Sequence, residues 1–343
     1  MPDETITRFF SPLIGGWREI EKENLIDCYY GTSYGNLSAE VLICSSVHPT
    51  DTVFEELKQH AILNNTLIQL RLMITSFLNS IEYLTSNYDL AEDGRVPATP
   101  KTLPQVYANV SGLVYDAIVS GRRLIDSIEK AINDVFGKES PEWVYWKGAT
   151  KTFYDSSLSY ALCYDLRNIV EHSFVALSTV NFDYKENVVG FAINLEAGLL
   201  QMDRIKPSLK QRLIDFYNER LAANLLPWIS VAGTLNSYKS TICALYFEFL
   251  LLIKRSLWKW TPTATAKKEI GNYNCIIWRV ANDDRYPLYS LDRAYRLQAS
   301  TLLPLALEND IKMIRTRLLE IEPEKTEALE SIERLLLESD ELN

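Results

Sequence analysis

The chain has 343 residues, 47% of them hydrophobic and 23% charged, which excludes a disordered polymer and allows one large domain or two modest ones. A formal net charge of −10 excludes a protein that coats nucleic acid through a broad basic surface, though not one with a small basic cleft. The five cysteines (Cys28, Cys44, Cys163, Cys243 and Cys275) are odd in number, widely spaced and without a C-x-x-C pair, so free thiols in a reducing compartment are expected rather than a disulfide framework or a structural zinc site.

Met1-Pro2-Asp3-Glu4-Thr5 is acidic and leads into no apolar signal core. Residues 1–52 are expected to form a strand-rich or irregular N-terminal arm, because Gly15-Gly16, Gly31 and Gly35-Asn36 separate short runs such as Val41-Leu42-Ile43-Cys44. Pro49-Thr50-Asp51 then offers a turn and a helix N-cap. Leu63, Leu67, Leu70, Met73, Phe77 and Ile81 follow at three- and four-residue steps, the spacing of one apolar helix face. Residues 92–103, with Gly94, Pro97 and Pro100, read as a loop.

A second long helix is expected from its stripe of Val106, Val110, Leu113, Val114, Ile118, Leu124, Ile128, Ile132 and Phe136, with Gly137 to end it. Ser140-Pro141-Glu142 opens a third, read as continuous through Trp143, Trp146, Phe153, Leu158, Leu162, Leu166 and Ile169 towards His172. A β-hairpin is expected at about 178–195, with Lys185-Glu186-Asn187 as its turn.

Helical patterning resumes at 206–224 and 231–260. The most apolar run, 242–253, is too short to span a bilayer and contains Glu248, so it reads as a buried helix. A cytoplasmic protein with no membrane association is expected. Residues 261–290 are irregular apart from a short strand at 274–280, and 304–339 read as an acidic helical stretch with Leu329, Ile332, Leu335 and Leu336 on one face. The expected fold class is mainly α, divided into the arm at 1–52, a helical bundle with its hairpin at 53–260, and an irregular segment with C-terminal helices at 261–343.

Among three histidines, only His172 has neighbours that suggest chemistry, in the run Arg167-Asn168-Ile169-Val170-Glu171-His172. Cutting RNA without a metal needs a base for the ribose 2′-hydroxyl and an acid for the leaving 5′-oxygen. It also needs a fixed positive charge where the phosphate gathers negative charge. Histidine titrates near neutrality, arginine grips two phosphate oxygens, and the Asn168 amide can orient either group. One chain supplies one such histidine, so a base-and-acid pair needs two chains. Five residues on a straight helix amount to about 140° of rotation, so Arg167 and His172 do not stack on one face: either they flank a groove or the helix loosens near His172.

Arg167-Asn168 followed by His172, late in a bundle helix, resembles the Arg-x4-His signature of the HEPN superfamily. The resemblance covers about residues 105–200, extends over about 53–260, and says little about either end. It implies a helical bundle, a homodimer that brings two copies of the motif together, and a metal-independent endoribonuclease cutting single-stranded or loop RNA in stress response or defence. Arg167, Asn168 and His172 would be its catalytic residues, with no cofactor and no metal, and the terminal segments leave room for a regulatory protein. One departure stands out. HEPN toxins controlled by a partner nucleotidyltransferase carry a modified tyrosine two positions after the histidine, where this chain has Phe174.

The alternative is a non-catalytic helical scaffold that binds a protein partner or a nucleotide. Arg167 would then pair with Asp165 or Glu171, and His172 would sit at a helix C-terminus, where positive charge is favourable. Arg122-Arg123, Lys147 with Lys151, and Lys254-Arg255 with Lys259 are local basic clusters, each read as a solvated helix face. Trp258-Lys259-Trp260, beside Tyr246, Phe247 and Phe249, reads as packing before base stacking.

Overall fold

The computed structural model describes residues 5–9, 25–36, 39–44, 50–88, 95–170, 177–183, 188–194, 205–225, 228–256, 263, 275–280, 293–296 and 298–338. The protein is mainly helical, and the chain divides into two compact units. One comprises Met1–Gln69 with Ile253–Asp310, the other Leu70–Leu252 with Ile311–Asn343.

The first unit holds the strand-rich arm. β1 (Thr5–Phe9), β2 (Leu25–Asn36) and β3 (Ala39–Cys44) join β8 (Cys275–Val280) and β9 (Arg293–Arg296) in an antiparallel sheet of order β1-β3-β2-β8-β9. The Gly35-Asn36 signal lies at the end of β2, where the register sets Asn36 opposite Ala39. The strand expected at 274–280 is β8, built from the β-prone run Cys275-Ile276-Ile277-Trp278. Its place beside the N-terminal arm is a long-range pairing that no local pattern announces. In the same unit Lys254 and Glu308 form an ion pair of 2.8 Å.

α1 (Asp51–Tyr88) begins where Pro49-Thr50-Asp51 places it, with the Val53 N–H donating to the Thr50 hydroxyl oxygen at 3.4 Å. From Leu70 onward its apolar residues Leu70, Ile74, Phe77, Ile81 and Leu84 are buried in the second unit. α2 (Leu103–Phe136) buries Val110, Val114, Ile118, Leu124, Ile128 and Ile132 of the expected stripe and ends at Gly137, whose φ of 85° lies in the region that favours glycine.

The third helix is not continuous. α3 (Pro141–Ser156) and α4 (Leu158–Val170) meet at Ser157, which is extended at φ −100° and ψ 112°. Ser157 serves both helices. Its backbone N–H donates to the Phe153 carbonyl, and its side-chain oxygen accepts from the Tyr160 N–H at 3.1 Å. At the break the apolar stripe takes a single five-residue step, from Phe153 to Leu158, and resumes at three- and four-residue steps, so one displaced position is all that separates this pattern from a continuous helix.

α5 (Pro207–Ala222) and α6 (Val231–Arg255) complete the packing around α2 and α4, and every residue from Thr241 to Ile253 is buried. Tyr238 of α6 is the hub of this core. Its ring meets Phe77 of α1 edge-on at 5.8 Å and stacks on Tyr160 of α4 at 6.1 Å, and its hydroxyl donates to the Ile118 carbonyl of α2 at 3.3 Å. Among the described residues no helix is long and apolar enough to cross a membrane.

β5 (Leu177–Asp183) and β6 (Val188–Asn194) pair antiparallel as the expected hairpin. They belong to a larger sheet. β4 (Arg95–Pro97), inside the stretch read as a loop, pairs with Val188–Gly190, and β7 (Trp228–Ser230) pairs with Ala192–Asn194. The C-terminal stretch is also divided. α7 (Gln298–Ile321) stops before Glu322, a 3-10 turn covers Pro323–Lys325, and α8 (Thr326–Glu338) follows. Pro323 lacks an N–H and disfavours helical backbone at the residue before it, so Glu322 takes φ −140° and ψ 80°.

Candidate functional site

α4 carries the first half of the Arg-x4-His run. Its described middle is nearly enclosed, with Tyr160, Ala161, Leu162, Cys163, Asp165 and Leu166 all buried against neighbours that include α2, α3 and α5. Arg167 and Asn168 occupy its last turn, which ends at Val170. Their side chains, and the whole of Glu171, His172 and Phe174, lie outside the described residues.

What the structure does bring together sits two positions earlier. Asp165 is 2% exposed, and an isolated ionised carboxylate there would be strongly disfavoured. Its partners come from both ends of the neighbouring chain. The Tyr154 hydroxyl of α3 donates to Oδ2 at 3.0 Å, and the Lys206 backbone N–H donates to the same oxygen at 3.4 Å. The Lys206 ammonium lies 3.6 Å from Oδ1. Lys206 stands at the N-cap of α5, whose first turn has no acidic residue and whose cap makes no side-chain hydrogen bond. Asp165 supplies from another helix the negative charge that this N-terminus favours.

Aromatic rings complete the cluster. The Lys206 ammonium is 4.6 Å from the Tyr154 ring centroid and 4.9 Å from that of Tyr164, and the Arg122 guanidinium lies 3.5 Å from the Tyr164 centroid. Arg122 is tied in turn to Asp126 at 2.8 Å. Arg212 donates to the Tyr154 carbonyl at 2.7 Å. Burial first, and then the Asp165 charge, push the Tyr154 hydroxyl well above the usual tyrosine range. Burial raises Tyr164 as well, against the pull of Arg122.

A second buried carboxylate lies in the apolar run of α6. Glu248 is 5% exposed and accepts from the Tyr145 hydroxyl of α3 at 3.0 Å. Burial pushes its carboxyl up to about 7, with the Tyr145 hydrogen bond opposing the rise. Two cysteines, Cys163 and Cys243, are buried free thiols; burial raises both, Cys243 to about 12.

One member of each local basic cluster is paired with a carboxylate. Lys147 pairs with Glu129 at 2.8 Å, Arg122 with Asp126 and Lys254 with Glu308. Trp146, Tyr246, Phe247 and Phe249 are buried in the core, as the packing reading expects, while Trp258-Lys259-Trp260 and His48 lie outside the described residues. Among the described residues no three His, Cys, Asp or Glu side chains converge as a metal site would require.

Comparison with family models, with curated proteins and with solved structures gives no match in any of the three. The site thus rests on this chain's own residues. Of the expected site residues, the structure places the backbone of Arg167 and Asn168 in one helical turn. Sequence reasoning missed Tyr154 and Lys206 and took Asp165 only as a pairing partner for Arg167, whereas Asp165 is held by Tyr154 and Lys206. The one signal available was a lone carboxylate within the apolar run Ala161-Leu162-Cys163-Tyr164-Asp165-Leu166, a residue that demands a partner if the run is buried.

Proposed function

We propose that the chain is a metal-independent endoribonuclease of HEPN type, acting as a homodimer on single-stranded or loop RNA. The observation that carries this reading is the run Arg167-Asn168-x-x-x-His172, with its first two residues in the last turn of α4 and an antiparallel hairpin following. Arg167 stabilises the charge that builds on the phosphate, His172 acts as base in one protomer and acid in the other, and Asn168 orients them. A role in stress response or defence belongs to the same proposal.

The pairing of Arg122, Lys147 and Lys254 with carboxylates favours a second reading, a non-catalytic helical scaffold that binds a protein or a nucleotide. One comparison separates the two. Wild type, Arg167→Ala and His172→Ala are incubated with labelled single-stranded RNA in EDTA. The nuclease reading expects wild type to leave 2′,3′-cyclic phosphate ends and each variant to lose about 10²–10⁴-fold in rate. Intact RNA with folded, dimeric wild type across several sequences would move the assignment to the scaffold.

A further inference from the structure

We infer that Asp165 is a positioning residue for the turn that carries Arg167 and Asn168, acting through Lys206 and Tyr154. This rests on the nuclease reading for its meaning, but the anchoring itself is a property of the described residues alone.

The last turn of a helix has carbonyls without intrahelical partners and frays unless something outside the helix holds it. α4 is 13 residues long, a length at which an isolated helix is marginal. Asp165 lies within its last two turns and ties it at one point to two other elements: to α3 through the Tyr154 hydroxyl and to the start of α5 through the Lys206 N–H and ammonium. The second partner is itself held. The Lys206 ammonium is fixed over the Tyr154 and Tyr164 rings, and Tyr164 is covered by Arg122. Little freedom remains in any of the four groups.

A hydrophobic side chain at position 165 would also fill the site, since the buried carboxylate carries a desolvation cost that its half-exposed lysine partner offsets only in part. What the carboxylate adds is direction. It accepts only along lines set by the Tyr154 hydroxyl and the Lys206 backbone, so it fixes the rotation of α4 about its own axis as well as its depth. Rotation decides where residues two and three positions further along point, and misplacement by about 1 Å can cost on the order of 10²-fold in rate. Oδ1 accepts no hydrogen bond among the described residues and has only the ammonium's charge, at 3.6 Å. The arrangement therefore depends on Lys206, whose removal leaves the buried carboxylate without a compensating charge, whereas the half-exposed lysine is solvated when Asp165 is removed.

The test uses the full-length protein as wild type, as Lys206→Met and as the double variant Asp165→Leu with Lys206→Met, which removes the carboxylate acceptor and both charges together. Hydrogen exchange is followed through α4 and, as a reference, through α2 and α6. Single-turnover cleavage and RNA affinity are measured on the same samples. The double variant should melt close to wild type and exchange about tenfold faster at 164–170, with α2 and α6 unchanged. Its cleavage rate should fall about tenfold while RNA affinity stays within about twofold. Restoring Asp165 alone should not rescue the rate, since the uncompensated carboxylate then remains. Unchanged exchange at 164–170, or a rise shared equally by α2 and α6, overturns the anchoring. Faster local exchange with an unaltered cleavage rate overturns the positioning role. If wild type does not cleave, the nuclease reading fails by itself and the exchange result alone decides the anchoring.

Discussion

A Cβ on Gly121 would come within 2.6 Å of the Tyr238 hydroxyl oxygen, with two further ring atoms inside 3.0 Å. α2 and α6 meet here with no room for a side chain, and the tyrosine uses the gap to reach the Ile118 carbonyl at 3.3 Å. Tyr238 is fully buried and packed by Phe77 and Tyr160, so its ring cannot swing aside without disturbing α1 and α4.

Gly121→Ala should therefore destabilise the protein, although alanine is the better helix former by about 1 kcal/mol. Overpacking of this kind costs about 1–3 kcal/mol, and the net loss should appear in the urea midpoint. Gly121→Val should be worse. An alanine variant as stable as wild type would show that the helices can part at this crossing without penalty.

The Glu248 carboxyl, raised from 4.5 to about 7 by burial, makes stability depend on pH. Because the folded-state value is the higher one, the unfolded chain gives up its proton first as pH rises. The contribution is thus greatest below about 4.5, falls between there and about 7, and is flat above, a total on the order of 3 kcal/mol. Glu248→Gln keeps an acceptor for Tyr145 and removes the titration. It should raise the urea midpoint at pH 8 and flatten its dependence between pH 5 and pH 8. Parallel profiles for the two proteins would rule out Glu248 as the source.

Ser157→Ala should cost about 1 kcal/mol, the usual loss when an N-cap oxygen is removed. Ser157→Asp, which keeps an acceptor for the Tyr160 N–H, should recover most of it. Ser140→Ala removes the equivalent bond to the Trp143 N–H, 3.0 Å long, and serves as a reference for a cap whose position is plain in the sequence. If Ser157→Ala had no effect on thermal unfolding while Ser140→Ala did, the break between α3 and α4 would be held by packing rather than by the cap.

Much of the fold is legible where local chemistry is strong. Lys185-Glu186-Asn187 between two β-branched runs announces β5 and β6, and Ser140-Pro141 announces α3. The break at Ser157 is marked only by the five-residue step from Phe153 to Leu158, which the three- and four-residue steps Leu158-Leu162-Leu166-Ile169 after it outweigh. β4 and β7 are three residues each, too short to show alternation, and exist because β6 offers them an edge. Of the candidate site, the motif is visible by spacing alone, whereas Asp165 meets Tyr154 and Lys206 across 11 and 41 positions.

The sequence by itself determined the mainly helical character, the strands of the N-terminal arm, the hairpin and the burial of Ile242–Ile253, because each follows from periodicity and turn chemistry within a short window. Only the tertiary structure decided which charges are compensated and by whom. Asp165 and Glu248 are both single carboxylates in apolar runs, yet among the described residues one is held by a lysine and a tyrosine and the other by a tyrosine. The field at a buried group is set by whatever the fold brings beside it, and those partners come from segments that no local pattern connects.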